Sequence, residues 1–91
     1  LLPLRAIVPA LVAGNTVIFK PSELTPRCGV FITSLFSHLP ADVLNTIYGG
    51  RETGALLVKQ PLSLIAFTGS VRAGKMIAAQ AGADLKRVIL E

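Results

Sequence analysis

The sequence predicts an α/β protein, a parallel sheet of about four strands with helices in the crossovers. Three observations carry that expectation. Short β-branched and aromatic runs recur along the chain. Between them lie longer segments with helical starts and stops. Gly, Pro, Asn or Ser marks each changeover. Strands that alternate with helices pair in parallel and cross over through the helices.

Leu4 to Ala13 reads as a helix, closed by Gly14-Asn15, because both residues tolerate the left-handed conformation of a helix end. Thr16 to Phe19 is a short β-branched and aromatic run, read as a buried strand. Thr25-Pro26 opens a second helix, with Thr25 as cap and Pro26 in the first turn. Phe31, Leu35 and Leu39 recur at four-residue spacing on one face, and Pro40 ends the helix. Val43 to Tyr48 is a second strand, stopped by Gly49-Gly50. A short helix follows from Glu52 to Val58. Pro61 restarts the chain and Ser63 to Phe67 is a third strand. Thr68-Gly69-Ser70 turns into a helix through Ala81, which Gly82 ends. Arg87 to Leu90 begins a fourth strand.

The bulk composition narrows the classes. The chain has 91 residues, one domain or part of one. It is 52% hydrophobic, with a mean hydropathy of +0.64. So small a domain buries only about 60% of the surface its unfolded chain exposes. The expectation is therefore a fragment whose apolar surface is covered by the rest of a larger protein. The lack of an initiator Met and the apolar run Val88-Ile89-Leu90-Glu91 at the end fit that expectation. No stretch reaches the roughly 18 to 20 apolar residues of a membrane span. Leu1 to Ala13 is too short and carries Pro3, Arg5 and Pro9, so neither a span nor a secretory signal is expected. The one cysteine excludes an internal disulfide and a cysteine metal cluster, and suggests a cytoplasmic setting. Net charge is +4, but apart from Lys86-Arg87 the basic residues are scattered and few rings accompany them. A nucleic-acid surface would cluster them.

Ligands on parallel sheets bind outside the carboxyl ends of the strands. Three such ends carry Lys20-Pro21-Ser22-Glu23, Gly49-Gly50 and Thr68-Gly69-Ser70. Glycines there let a ligand approach the backbone. Ser70 opens a helix whose positive end suits a phosphate. Gly74 completes Gly-Ser-x-x-x-Gly, which is not the Gly-x-Gly-x-x-Gly dinucleotide fingerprint and is also common as a purely structural turn. Lys20 donates and Glu23 accepts, so together they suit neighbouring hydroxyls of a ribose. A carboxylate there disfavours a 2′-phosphate, which argues for NAD over NADP. The same spacing also fits a surface ion pair beside a helix start, worth roughly 0 to 1 kcal/mol.

The blocks "PALVAGNTVIFKPSELTP", "FTGS" and "LKRVILE", in this order and spacing, resemble the nucleotide-binding domain of the aldehyde dehydrogenase superfamily across nearly the whole chain. The resemblance implies a Rossmann-like parallel sheet with flanking helices, with residues 1–91 as part of an NAD-binding domain. It implies a cofactor site at Lys20, Ser22 and Glu23, the lysine and glutamate on the adenosine ribose. Gly49 would lie beside adenine, and Phe67, Thr68, Gly69 and Ser70 near the cofactor, the serine on the pyrophosphate. Ala73 would pack near adenine, and Gly74 is the second glycine of a Gly-x-x-x-x-Gly element counted from Gly69. Glu91 matches the family's general base, which activates the water that hydrolyses a thioester. By itself the residue pattern supports this only loosely: a carboxylate at the carboxyl end of a strand suits base work in an apolar setting, and the same glutamate also reads as a solvent-exposed residue.

The resemblance also implies what lies elsewhere. The catalytic cysteine would come a few dozen residues after Glu91, and an oxyanion-hole Asn a few residues before Leu1. Cys28, in the first turn of a helix beside Arg27, is not that nucleophile, and His38 reads as a capping or surface residue. No metal is expected. The chain alone is expected to be inactive. The whole enzyme would oxidise a small-molecule aldehyde to an acid with NAD, as a homodimer or homotetramer. "IVPALVAGNTVIFKPSELTP" with "GGRETG" further resembles the succinylglutamate-semialdehyde dehydrogenases. The alternative is a non-catalytic nucleotide-binding or scaffold relative with the same fold.

Overall fold

The computed structural model describes residues 2–91. The element order is α1 (Leu2–Val12), β1 (Val17–Phe19), α2 (Pro26–Leu35), β2 (Leu44–Thr46), α3 (Arg51–Val58), β3 (Leu64–Phe67), α4 (Val71–Ala83) and β4 (Arg87–Leu90). This is the expected alternation. The pairing departs from a single sheet of about four strands: among the described residues β1 pairs in parallel with β2, and β3 in parallel with β4, as two two-stranded sheets. The chain divides into two compact units, one running to Gly50 and one from Arg51 to Glu91.

In the first unit Ile7, Phe19 and Ile32 are buried, and Leu4, Leu11, Val17, Phe36 and Leu44 pack against them. Leu4, Ile7 and Leu11 lie three and four residues apart, which puts all three on one face of α1. Burying an Ile or Phe side chain stabilises by about 1.5–3 kcal/mol each. The helix ends as the sequence predicts. Gly14 has φ +91°, the Asn15 amide donates to the Ala10 carbonyl, and the Gly14 amide donates to the Leu11 carbonyl, both at 3.0 Å. That pair of hydrogen bonds is the Schellman stop, and a residue with a Cβ would be strained at its centre.

The second helix departs from expectation in three ways. Its inward face is Gly29, Ile32 and Phe36, not Phe31, Leu35 and Leu39. Phe31 is 64% exposed and Leu35 44% exposed. Four-residue spacing defines a face but not which face the core takes. The α-helix stops at Leu35 and the chain reaches Pro40 through turns. Thr25 holds the cap position, but its side chain makes no capping hydrogen bond. Gly29 has a packing reason. A Cβ on it would lie 2.6 Å from the ring of buried Pro21. Thr33 ties α2 to β2: its hydroxyl donates to the Gly29 carbonyl at 2.8 Å. It therefore accepts from the Thr46 hydroxyl, also at 2.8 Å.

In the second unit Val58 and Ala81 are buried, with Gly74 beneath Leu90. The Lys86 side chain is only 7% exposed. Its ammonium donates to the Val58 carbonyl at 2.6 Å and to Asp84 Oδ2 at 3.5 Å, fastening the end of α3 to the start of β4. Gly82 does not end α4. The helix runs to Ala83, and Leu85 takes the left-handed turn at φ 56°. The Lys86 amide donates to the Ala81 carbonyl at 2.8 Å and the Leu85 amide to Gly82 at 3.2 Å. This is again a Schellman stop, with leucine where glycine is usual.

Candidate functional site

In the first unit the predicted residues lie on the segments that leave the carboxyl ends of β1 and β2. The strands are in register from Val17 opposite Leu44 to Phe19 opposite Thr46. The Ile47 amide then donates to the Phe19 carbonyl at 2.9 Å, extending the pairing one step. Lys20 follows β1 directly and is half-buried, and Pro21 drops into the packing against α2. Ser22 builds the turn. Its Oγ accepts from the Leu24 amide and its carbonyl from the Thr25 amide, both at 3.2 Å. A serine hydroxyl used in this way still has its own hydrogen to donate.

That turn presents Glu23 across the segment after β2. A Cβ built on Gly50 would collide with Glu23 Oε2, so the carboxylate occupies the space that a side chain at 50 would fill. Gly49, just before it, has φ 156°, a backbone angle that a residue with a Cβ rarely adopts. Among the described residues, Lys20 and Glu23 do not pair with each other. Neither charge of this loop is spent on its neighbour, in contrast to the surface ion pair that the spacing also allowed.

In the second unit the predicted residues gather at the carboxyl ends of β3 and β4. The Glu91 amide donates to Phe67 at 3.0 Å, and the Gly69 amide to the Glu91 carbonyl at 3.3 Å. Thr68 and Gly69 form the turn, and the Phe67 ring folds back over Gly69, 2.6 Å from where a Cβ would stand. Ser70 is the N-cap of the 13-residue helix α4, with its Oγ accepting from the Ala73 amide at 3.2 Å. The Gly74 amide donates to the Ser70 carbonyl at 3.0 Å. The first-turn amides of Val71 and Arg72 have no carbonyl four residues back within the helix. Because Ser70 Oγ only accepts here, its hydroxyl hydrogen is still available to donate, beside the positive end of the helix dipole. Ala73 is half-buried, Gly74 is buried, and Glu91 and Ser70 are exposed.

The aldehyde dehydrogenase family model matches residues 1–91. The chain belongs to the aldehyde dehydrogenase family. Among curated members of the family, the N-succinylglutamate 5-semialdehyde dehydrogenase of Klebsiella pneumoniae is 51% identical over 94 aligned residues, covering 99% of this chain and 19% of that protein. The enzyme of the same description from Ectopseudomonas mendocina is 49% identical, with the same coverage. A solved Mycobacterium tuberculosis aldehyde dehydrogenase complexed with NAD+ superposes with a TM-score of 0.94 at 36% identity, over 99% of this chain and 19% of that one. Lactaldehyde dehydrogenase from Escherichia coli gives a TM-score of 0.91 at 37% identity, over 99% and 20%. The chain thus spans about a fifth of the length of the family members it matches, and its short parallel strands and helices are those of the family's Rossmann-like cofactor fold.

Two features of the family chain were not legible beforehand. Gly49-Gly50 reads as a strand stop that admits a ligand. The structure gives one of the pair a second use, as room for a side chain from the neighbouring loop. Phe67 is the last strand residue, as expected, and its ring also roofs the turn at Gly69, a contact that the strand pattern does not reveal. Among the described residues no group of three or more His, Cys, Asp or Glu side chains is placed to hold a metal ion, and no helix is long and apolar enough to cross a membrane. Cys28 is exposed.

Proposed function

We propose that this chain is part of the cofactor domain of an NAD-dependent aldehyde dehydrogenase that oxidises an aldehyde to a carboxylic acid through a cysteine thioester. The observation that carries the cofactor half of this reading is the Glu23 carboxylate, held out over Gly50 beside the carboxyl ends of β1 and β2 and unpaired with Lys20. An acceptor held over Gly50 and a donor on the same loop suit vicinal ribose hydroxyls. Glu23 accepts from a hydroxyl and Lys20 donates to one. The negative charge at 23 repels a 2′-phosphate, which favours NAD over NADP. The relatives that bear the name N-succinylglutamate 5-semialdehyde dehydrogenase support that aldehyde as the substrate.

At the other strand pair Ser70 donates its hydroxyl hydrogen to a pyrophosphate oxygen, while the α4 dipole stabilises the negative charge. Gly69 and Gly74 keep side chains out of the approach, and Ala73 offers a small apolar surface. When bound, NAD supplies the acceptor for the hydride that leaves the aldehyde carbon. The nucleophilic cysteine would come from the part of the enzyme outside this chain. Glu91 removes a proton from the water that cleaves the thioester, and its backbone bonds to Phe67 and Gly69 fix where that carboxylate is rooted.

The test is turnover of N-succinylglutamate 5-semialdehyde by the enzyme that carries this chain, with NAD and with NADP. Faster turnover with NAD supports the reading. Nucleotide binding with no oxidation of this or any other aldehyde would favour a non-catalytic relative.

A further inference from the structure

We propose that Gly50 is a positioning residue for the cofactor site, and that it acts through Glu23. This rests on the reading of Glu23 as a ribose ligand.

The Cβ that any other residue would carry at 50 meets Glu23 Oε2, with the Glu23 carboxyl carbon at 3.3 Å and Oε1 at 3.8 Å. All three contacts are to one carboxylate; among the nearest atoms none belongs to backbone or to another side chain. Gly50 is not one of the residues with positive φ, so its backbone angles do not demand glycine. What demands glycine is the carboxylate. Glu23 is exposed and accepts no hydrogen bond from a described residue, so its carboxylate lies here because the bare Gly50 backbone leaves room for it. The contrast with Gly29 is informative. There the added Cβ meets the ring of buried Pro21, a rigid group in the packing, and the cost falls on the fold. At Gly50 it meets the far end of a flexible side chain, which swings away at little cost. The substitution therefore displaces the acceptor and leaves the fold intact.

The experiment is a double-mutant cycle on the enzyme that carries this chain, with Gly50→Ala, Glu23→Ala and the pair, reading Kd for NAD by calorimetry alongside the melting temperature. A charge-assisted hydrogen bond to a hydroxyl supports a loss of about tenfold in affinity for Glu23→Ala. Gly50→Ala should weaken NAD by a comparable factor with its melting temperature near that of the parent. In the Glu23→Ala background, where nothing is left to collide with, Gly50→Ala should change Kd little. If Gly50→Ala costs the same factor in both backgrounds, Gly50 does not act through Glu23. If Glu23→Ala weakens NAD and Gly50→Ala does not, the positioning role is wrong and the ribose reading stands. If Glu23→Ala leaves Kd unchanged, the ribose reading fails and takes this proposal with it.

Discussion

Gly69 donates its amide hydrogen to the carbonyl of Glu91 at 3.3 Å, while the Phe67 ring lies over the Gly69 α-carbon. The turn after β3 is thus pinned from one side by the end of β4 and from the other by its own aromatic residue. Gly69→Ala puts a methyl against the ring at 2.6 Å and 3.0 Å. The ring must leave its place, so the protein should lose about 1–3 kcal/mol of stability. Chemical denaturation checks this. An unchanged midpoint would mean that the ring moves freely and does not roof the turn.

Gly29 and Gly74 are both buried helical glycines, and they should respond in opposite directions. Gly29→Ala meets Pro21 at 2.6 Å, whereas Gly74→Ala finds only Leu90 methyls at 3.9 Å, an ordinary contact. The first should destabilise by roughly 1–3 kcal/mol through overpacking. The second should stabilise by roughly 0.5–1 kcal/mol, the helix preference of alanine over glycine. Thermal melts of the two variants decide it, and equal shifts would contradict the packing described here.

Leu85 is 93% exposed and sits at φ 56° in the stop of α4. A leucine gains no burial there and carries the strain of the left-handed region, about 1 kcal/mol. Leu85→Gly should therefore raise stability by up to ~1 kcal/mol, less the entropy that glycine adds to the unfolded chain. A fall in melting temperature would show that the Leu85 side chain has a partner that outweighs the strain.

The order of elements was legible because local chemistry sets it. Gly14-Asn15 and Ser70 stop and start helices by backbone angle and by a side-chain acceptor, and both act within a few residues. The buried face of α2 was not legible. Phe31 and Leu35 are as apolar as Ile32 and Phe36, and only the position of Pro21 and β1 decides which pair turns inward. The end of α4 was misplaced for a related reason. Gly82 is the better left-handed residue, but the helix continues past it and Leu85 carries the turn. In the site, the residue types at the strand ends were readable one by one. The use of Gly50 as space for Glu23 was not, because it joins loops 27 positions apart (50 − 23).

Glu91→Gln keeps the backbone bonds to Phe67 and Gly69 and replaces the basic carboxylate oxygen with an amide nitrogen. In the enzyme that carries this chain, steady-state turnover should fall by about 10²–10⁴-fold, the usual contribution of a general base. The pre-steady-state burst of NADH should survive, because it precedes thioester hydrolysis. Loss of the burst together with turnover would give Glu91 another role.

The central claim is that the loop leaving β1 reads the ribose of the cofactor and rejects a 2′-phosphate through the charge of Glu23. The ratio of kcat/KM for NAD to that for NADP in Glu23→Gln tests it most directly. Removing a repulsion of about 1–4 kcal/mol, the range for like charges about 4 Å apart near a protein surface, should lower that ratio by at least about fivefold. An unchanged ratio, with both cofactors still turning over, would contradict the account.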